Sequence, residues 1–149
     1  LRLLFVGDSV CMGVGATCAA PLQAACAERL AALRGVPVVW RTVAETGADV
    51  RDLRSMLLAP CEANKHLSGV NEGLGFDIAV IFCGVNDGKK LFEGRWPSVF
   101  KKDLAALCAT LQGEAPEGRI AVPCIPGYTR APLLQLWPAR HLVSFFFGR

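Results

Sequence analysis

Residues 78–83 read "IAVIFC", six apolar residues without a polar break. A strand with one face in water alternates apolar and polar side chains, so an unbroken run requires cover on both faces. That is the condition of a strand in a parallel sheet between helical layers. The rest of the chain repeats the same unit. Residues 2–6 form a short apolar strand. Residues 19–34 follow as a helix on which Leu22, Cys26, Leu30 and Leu33 fall at helical spacing, and Gly35 supplies a stop. The β-rich stretch "VPVVWRTV" (36–43) precedes a second helix in "GADVRDLRSMLLAP", with Asp49 as its N-cap and Pro60 as its stop. Residues 61–76 are a polar connection. "DIAVIFCGVND" (77–87) is a strand ending in a polar turn. Pro97 opens a third helix with Phe100, Leu104, Leu107 and Leu111 on one face and Gly113 at its end. "RIAVPC" (119–124) is a fourth strand, and residues 131–142 form a fourth helix. This order predicts an α/β fold with a parallel sheet and right-handed crossovers. Its length of 149 residues suits one domain, spanning 1–149.

Composition removes several function classes. The net charge is +3, and the only adjacent basic pairs are Lys89-Lys90 and Lys101-Lys102. A nucleic-acid partner calls for a clustered basic face, and none is visible. The longest apolar runs are too short to span a bilayer, so no transmembrane segment is expected. No signal peptide is expected within the chain, because Leu1 already belongs to a strand pattern, although a leader removed before Leu1 would fit equally. Of the seven cysteines, Cys26 and Cys108 fall on helix faces and Cys83 and Cys124 in strands, where they read as small buried hydrophobes. Without a C-x-x-C pair no metal site is expected. Cys11 and Cys18 flank the first turn and form the pair to check for a disulfide.

Chemistry concentrates in the turns that follow strands, since functional loops of parallel sheets lie at the carboxyl edge. Three polar turns sit there: Gly7-Asp8-Ser9, Thr46-Gly47 and Gly84-Val85-Asn86-Asp87. Gly7 and Gly13 come within one residue of the spacing of a phosphate loop, but Val14 and Gly15 follow where lysine and a hydroxyl residue are needed. The dinucleotide fingerprint also fails, because Cys18 occupies its third small position. The alternative is a nucleophile. A serine hydroxyl needs a base and an oxyanion hole. Ser9 at a strand-end turn can offer its hydroxyl and its own backbone N–H. Gly47, lacking a side chain, can bring a second N–H close. Asn86 can donate a third hydrogen bond from its side-chain amide. Each turn also has an ordinary reading, as a capped helix start, a turn glycine or a polar turn. Their placement after strands one, two and three favours a shared site, provided those strands are neighbours.

These stretches resemble the SGNH hydrolases, also called the GDSL esterase/lipase family. "FVGDSVCMGVGA" is similar to the block that carries the serine, "WRTVAETGADVRDLR" to the glycine block, and "DIAVIFCGVND" to the asparagine block. The resemblance runs in order from about Arg2 to Arg140. It implies Ser9 as nucleophile, with the Ser9 N–H, the Gly47 N–H and the Asn86 side chain as the oxyanion hole. It also implies a three-layer α/β/α sandwich with a flavodoxin-like strand order 2-1-3-4-5. The implied substrate is a small-molecule acyl ester, with no metal or organic cofactor.

The resemblance stops at the family's last block, Asp-x-x-His, which supplies the base and its orienting acid. His66 is preceded at that spacing by Ala63, and His141 by Pro138. His141 would also lie ~15 Å along a returning helix from the catalytic edge, at ~1.5 Å per residue. The expectation is therefore a domain without its fifth strand and without the catalytic histidine in these 149 residues. Two functions fit: an esterase impaired in this form, or a non-catalytic ligand-binding relative. Asp87 is the first substitute base to consider by position, although holding the Asn86 turn is its simpler role. Without a fifth strand, "RIAVPC" becomes an edge guarded only by Pro123, and "LVSFFF" near the end is an aggregation-prone segment, so self-association is expected.

Overall fold

A computed structural model describes residues 1–15, 21–59 and 75–123. It contains β1 (Arg2–Gly7), α1 (Leu22–Arg34), β2 (Val39–Ala44), α2 (Val50–Leu58), β3 (Ile78–Phe82), α3 (Val85–Lys89), a 3₁₀ turn (Lys90–Glu93), α4 (Pro97–Glu114) and β4 (Arg119–Ala121). The four strands form one parallel sheet in the order β2-β1-β3-β4. This matches the first four strands of the order 2-1-3-4-5 that the resemblance implies. The anticipated helix at 131–142, any fifth strand, the tail at 143–147, and both histidines lie outside the described residues.

Alternation along β1 sorts the two faces. Leu3 and Phe5 join Cys11, Ala27 of α1 and Ala44 in one buried cluster. Leu4 and Val6 point the other way, onto Leu53 and Leu57 of α2 and Leu107 and Leu111 of α4. Helices therefore cover both faces, which gives the three layers. Each fully buried leucine or phenylalanine contributes ~1.5–3 kcal/mol from its removal from water. The polar ends of β1 are tied down as well: Asp77 Oδ2 accepts from Arg2 N at 2.7 Å, beside the exposed Arg2–Asp77 ion pair.

Several local readings need correction. The face of α1 that docks is not Leu22, Cys26, Leu30 and Leu33. Gln23 and Ala27 are its buried residues, Leu30 is half-buried, and Leu22, Cys26 and Leu33 are exposed. Cys26 is thus not a buried hydrophobe. Helix α1 begins at Leu22 rather than at 19, and Gly35 caps it with φ at 65°. Gly113 does not end α4, which runs one residue further to Glu114. The polar turn after β3 is the short helix α3, entered through Gly84 at φ 106°. The N-cap role of Asp49 holds. Its carboxylate accepts from Arg51 N at 2.8 Å and Asp52 N at 3.1 Å, and Asp52 answers by accepting from Asp49 N at 3.0 Å.

Candidate functional site

Strand β1 ends at a glycine because nothing larger fits. A Cβ on Gly7 would stand 2.6 Å from Cys11 Cβ and 2.8 Å from the backbone oxygen of Phe82 on the neighbouring strand. That close approach lets Asp8 N donate to Phe82 O at 3.2 Å, carrying the pairing one residue past the strand. The chain then coils through linked turns, Met12 N to Asp8 O at 3.0 Å and Val14 N to Ser9 O at 3.0 Å. Helix α1 reaches across to hold this coil. The buried Gln23 amide donates to Cys11 O and lies 3.4 Å from Cys11 Sγ.

The second turn, Glu45–Ala48, closes with Ala48 N donating to Glu45 O at 3.2 Å and has Gly47 at φ 86°. A side chain is disfavoured at that third position, where the turn requires positive φ. The third turn is α3, where Asn86 is buried in the first turn.

Asn86 links the other two turns. Its Nδ2 donates to Asp8 Oδ2 at 3.2 Å and to Ala48 O at 3.0 Å. Asp8 adjoins Ser9, and Ala48 adjoins Gly47. The three sequence-predicted residues therefore stand on three turns that meet at one amide. Ser9 is half-buried, and Gly47 is exposed. Among the described residues, the backbone N–H groups of Ser9 and Gly47 have no hydrogen-bond partner.

A buried ionic cluster braces the arrangement from below. Arg95 lies just beyond the 3₁₀ turn and is 8% exposed. Its guanidinium reaches Asp87 Oδ1 at 2.7 Å, Asp49 Oδ1 at 3.3 Å and Asp103 Oδ2 at 2.6 Å. The other oxygen of Asp87 accepts from Val50 N at 3.2 Å. Lys90 Nζ holds Asp49 Oδ2 at 2.8 Å, and Arg51 joins Asp103 at 2.8 Å. The start of α2, the turn carrying Asn86 and the flank of α4 are thus fixed to one another. The sequence reading missed Arg95 and Gln23. Neither has a local signature, since the partners of each lie on other elements.

Electrostatics separates two of the three aspartates that share Arg95. Burial raises the Asp49 carboxyl pKa, but the hydrogen bond from Lys90 and those from the Asp52 and Arg51 backbone outweigh it, leaving it below its ordinary value. For Asp87 burial prevails over Arg95, and the pKa is raised. The signs in folding are opposite. Asp49 contributes stability that is present above the unfolded aspartate value, about 3.9, and lost as pH falls through its folded value. Asp87 contributes stability below that value, lost as pH rises through its own folded value. Asp49→Asn is therefore expected to be clearly less stable than the parent at pH 7, with the gap closing below pH ~4, in urea denaturation across that range. A gap constant with pH would show that the Asp49 charge is not what matters.

The cysteines near the site are thiols. Burial pushes Cys11 up to about 11 and Cys83 up to about 12. Both are therefore poor nucleophiles at neutral pH. Cys11 is free, and Cys18 lies outside the described residues. A cavity of about 680 Å³ opens at the opposite, amino edge of the sheet between Arg2, Phe76 and Gly118, away from these turns.

The sequence matches the GDSL-like Lipase/Acylhydrolase family over residues 5–143. No match was found among curated protein sequences. Among solved structures, the fold is similar to a lipase from a goat rumen metagenome, with TM-score 0.65 and 17% identity, covering 98% of this chain and 72% of that one. It is similar to the acetyl xylan esterase AlAXEase, with TM-score 0.57 and 16% identity over 99% of this chain and 71% of that one. An acetyl xylan esterase variant from Geobacillus stearothermophilus gives 0.58 and 19%, over 99% and 68%. With the family match spanning most of its length, this chain belongs to the GDSL-like lipase/acylhydrolase family.

Proposed function

We propose that this is an ester hydrolase domain in which Ser9 is the nucleophile and the Ser9 N–H, Gly47 N–H and Asn86 Nδ2 form the oxyanion hole. The observation that carries the reading is the Asn86 amide, which joins Asp8 beside Ser9 to Ala48 beside Gly47. The substrate class is a carboxylic acyl ester. Acetylated carbohydrates are the first candidates, because two of the similar structures are acetyl xylan esterases. Ser9 Oγ adds to the ester carbon, and the carbonyl electron pair moves onto oxygen. The two free backbone donors then bind that oxygen. Asn86 joins them by giving up either Asp8 or Ala48. Collapse of the adduct expels the alcohol, which takes up the proton lost by Ser9, and leaves an acyl-serine for water to cleave.

Hydrolysis of p-nitrophenyl acetate tests the assignment. Ser9→Ala is expected to abolish the protein-dependent rate. Asn86→Ala, losing one oxyanion donor, is expected to lower kcat ~10²–10³-fold. A rate that survives Ser9→Ala would exclude Ser9 as the nucleophile. Acetylated sugar binding with no Ser9-dependent release of p-nitrophenol, even on long incubation at high protein concentration, would favour the ligand-binding reading.

A further inference from the structure

We propose that Lys89 is a positioning residue of this site, orienting and polarising the Asn86 amide as an oxyanion donor. The inference rests on the role given to Asn86 above. Lys89 Nζ donates to Asn86 Oδ1 at 3.0 Å. The two residues stand three apart on α3, the spacing at which helical side chains share a face.

An ammonium only donates, and the Asp8 carboxylate and Ala48 carbonyl only accept. Turning the amide over would set its NH₂ against the Lys89 ammonium and its oxygen against two acceptors. Lys89 therefore fixes which end of Asn86 faces Asp8 and Ala48, and hence the Ser9 and Gly47 turns. The same contact draws electron density toward Oδ1, which makes Nδ2–H a stronger donor. The chain from Lys89 through Asn86 to Asp8 has a cation at one end and a carboxylate at the other, an arrangement in which hydrogen bonds reinforce one another. Lys90 next door shows the contrast. It is committed to Asp49 at 2.8 Å, whereas Lys89 has no ion-pair partner among the described residues. Its charge acts on Asn86 rather than on a carboxylate.

Three variants of the full chain separate charge from hydrogen bonding: Lys89→Arg, Lys89→Gln and Lys89→Met. Two readouts are used, the NMR resonances of the Asn86 side-chain amide and the burst rate of Ser9 acylation by p-nitrophenyl acetate. Lys89→Met is expected to move the amide protons upfield and slow acylation about fivefold, consistent with a modest cooperative effect per bond. KM and the melting temperature should not change. Lys89→Arg should restore both readouts and Lys89→Gln should fall between. Unmoved Asn86 resonances in Lys89→Met would overturn the proposal. So would an unchanged acylation rate in Lys89→Met while Ser9→Ala abolishes it. If Ser9→Ala itself leaves the rate unchanged, the underlying assignment of Ser9 and Asn86 fails, and Lys89 loses its role with it.

Discussion

Residues 1–149 are expected to turn over p-nitrophenyl acetate ~10⁶-fold more slowly than a serine hydrolase with its histidine in place. A serine hydroxyl is a weak nucleophile until a neighbouring base takes its proton. Neither histidine of these 149 residues stands in an Asp-x-x-His block, and no described side chain hydrogen-bonds Ser9 Oγ. The carboxylates close to hand are already committed. Asp87 gives one oxygen to Arg95 at 2.7 Å and the other to Val50 N at 3.2 Å. Asp8 accepts from Val10 N at 3.0 Å and from Asn86 Nδ2 at 3.2 Å. Using either as a base would break contacts that shape the site. Initial rates with wild-type and Ser9→Ala protein decide the matter. A wild-type kcat of ordinary enzymatic size, ~10 s⁻¹, that disappears in Ser9→Ala would mean that a base operates within these residues.

The parts of this fold that could be read in the sequence are those set by neighbours along the chain. The apolar run in β3 announced burial on both faces, Asp49 announced the start of α2, and Gly7 announced the end of β1. Each depends on local sterics or on a cap a few residues away. The docking face of α1 could not be read in this way. Its leucines follow helical spacing, yet Ala27 and Gln23 are the residues that face the sheet. Ala27 is the small residue that seats the helix on the sheet, beside Leu3, Phe5 and Ala44, and Gln23 is buried because it satisfies Cys11 O on another element. Ser9, Gly47 and Asn86 were legible as candidates because each stands in a polar turn after one of the first three strands, while the neighbouring of those strands came only from the family resemblance. Their connection through the Asn86 amide was not, because it depends on two contacts from a five-residue helix whose residues, Val-Asn-Asp-Gly-Lys, are mostly poor helix formers. Tertiary bonds hold that helix, and no local propensity predicts them. Nor could the sequence reveal Arg95, whose three acidic partners stand 46, 8 and 8 positions away at Asp49, Asp87 and Asp103.

Arg95→Met is expected to bring the protein to the edge of unfolding. The substitution keeps an unbranched side chain but removes the charge shared by three carboxylates, whose side chains are 8%, 2% and 19% exposed at Asp49, Asp87 and Asp103. Removing one partner of a buried ion pair costs ~3–5 kcal/mol, because the remaining charge is left without compensation. A small domain has only ~5–15 kcal/mol in total. Lys90 would still hold Asp49, and Arg51 would still reach Asp103, so Asp87 takes most of the loss. Its pKa is already raised by burial, and without the guanidinium it should rise further. Arg95→Lys should not rescue, since one compact ammonium cannot span sites that the planar fork serves with two nitrogens. The double variant Arg95→Met/Asp87→Asn should recover part of the loss, because it removes the stranded charge along with its partner. Urea denaturation of the three variants reads these differences directly. A loss below ~1 kcal/mol in Arg95→Met, the size of an exposed surface pair, would mean that the cluster is dispensable to the fold. If instead the double variant regains stability but hydrolyses esters more slowly than wild type, the cluster's remaining contribution is to the spacing between the Asn86 turn and the start of α2.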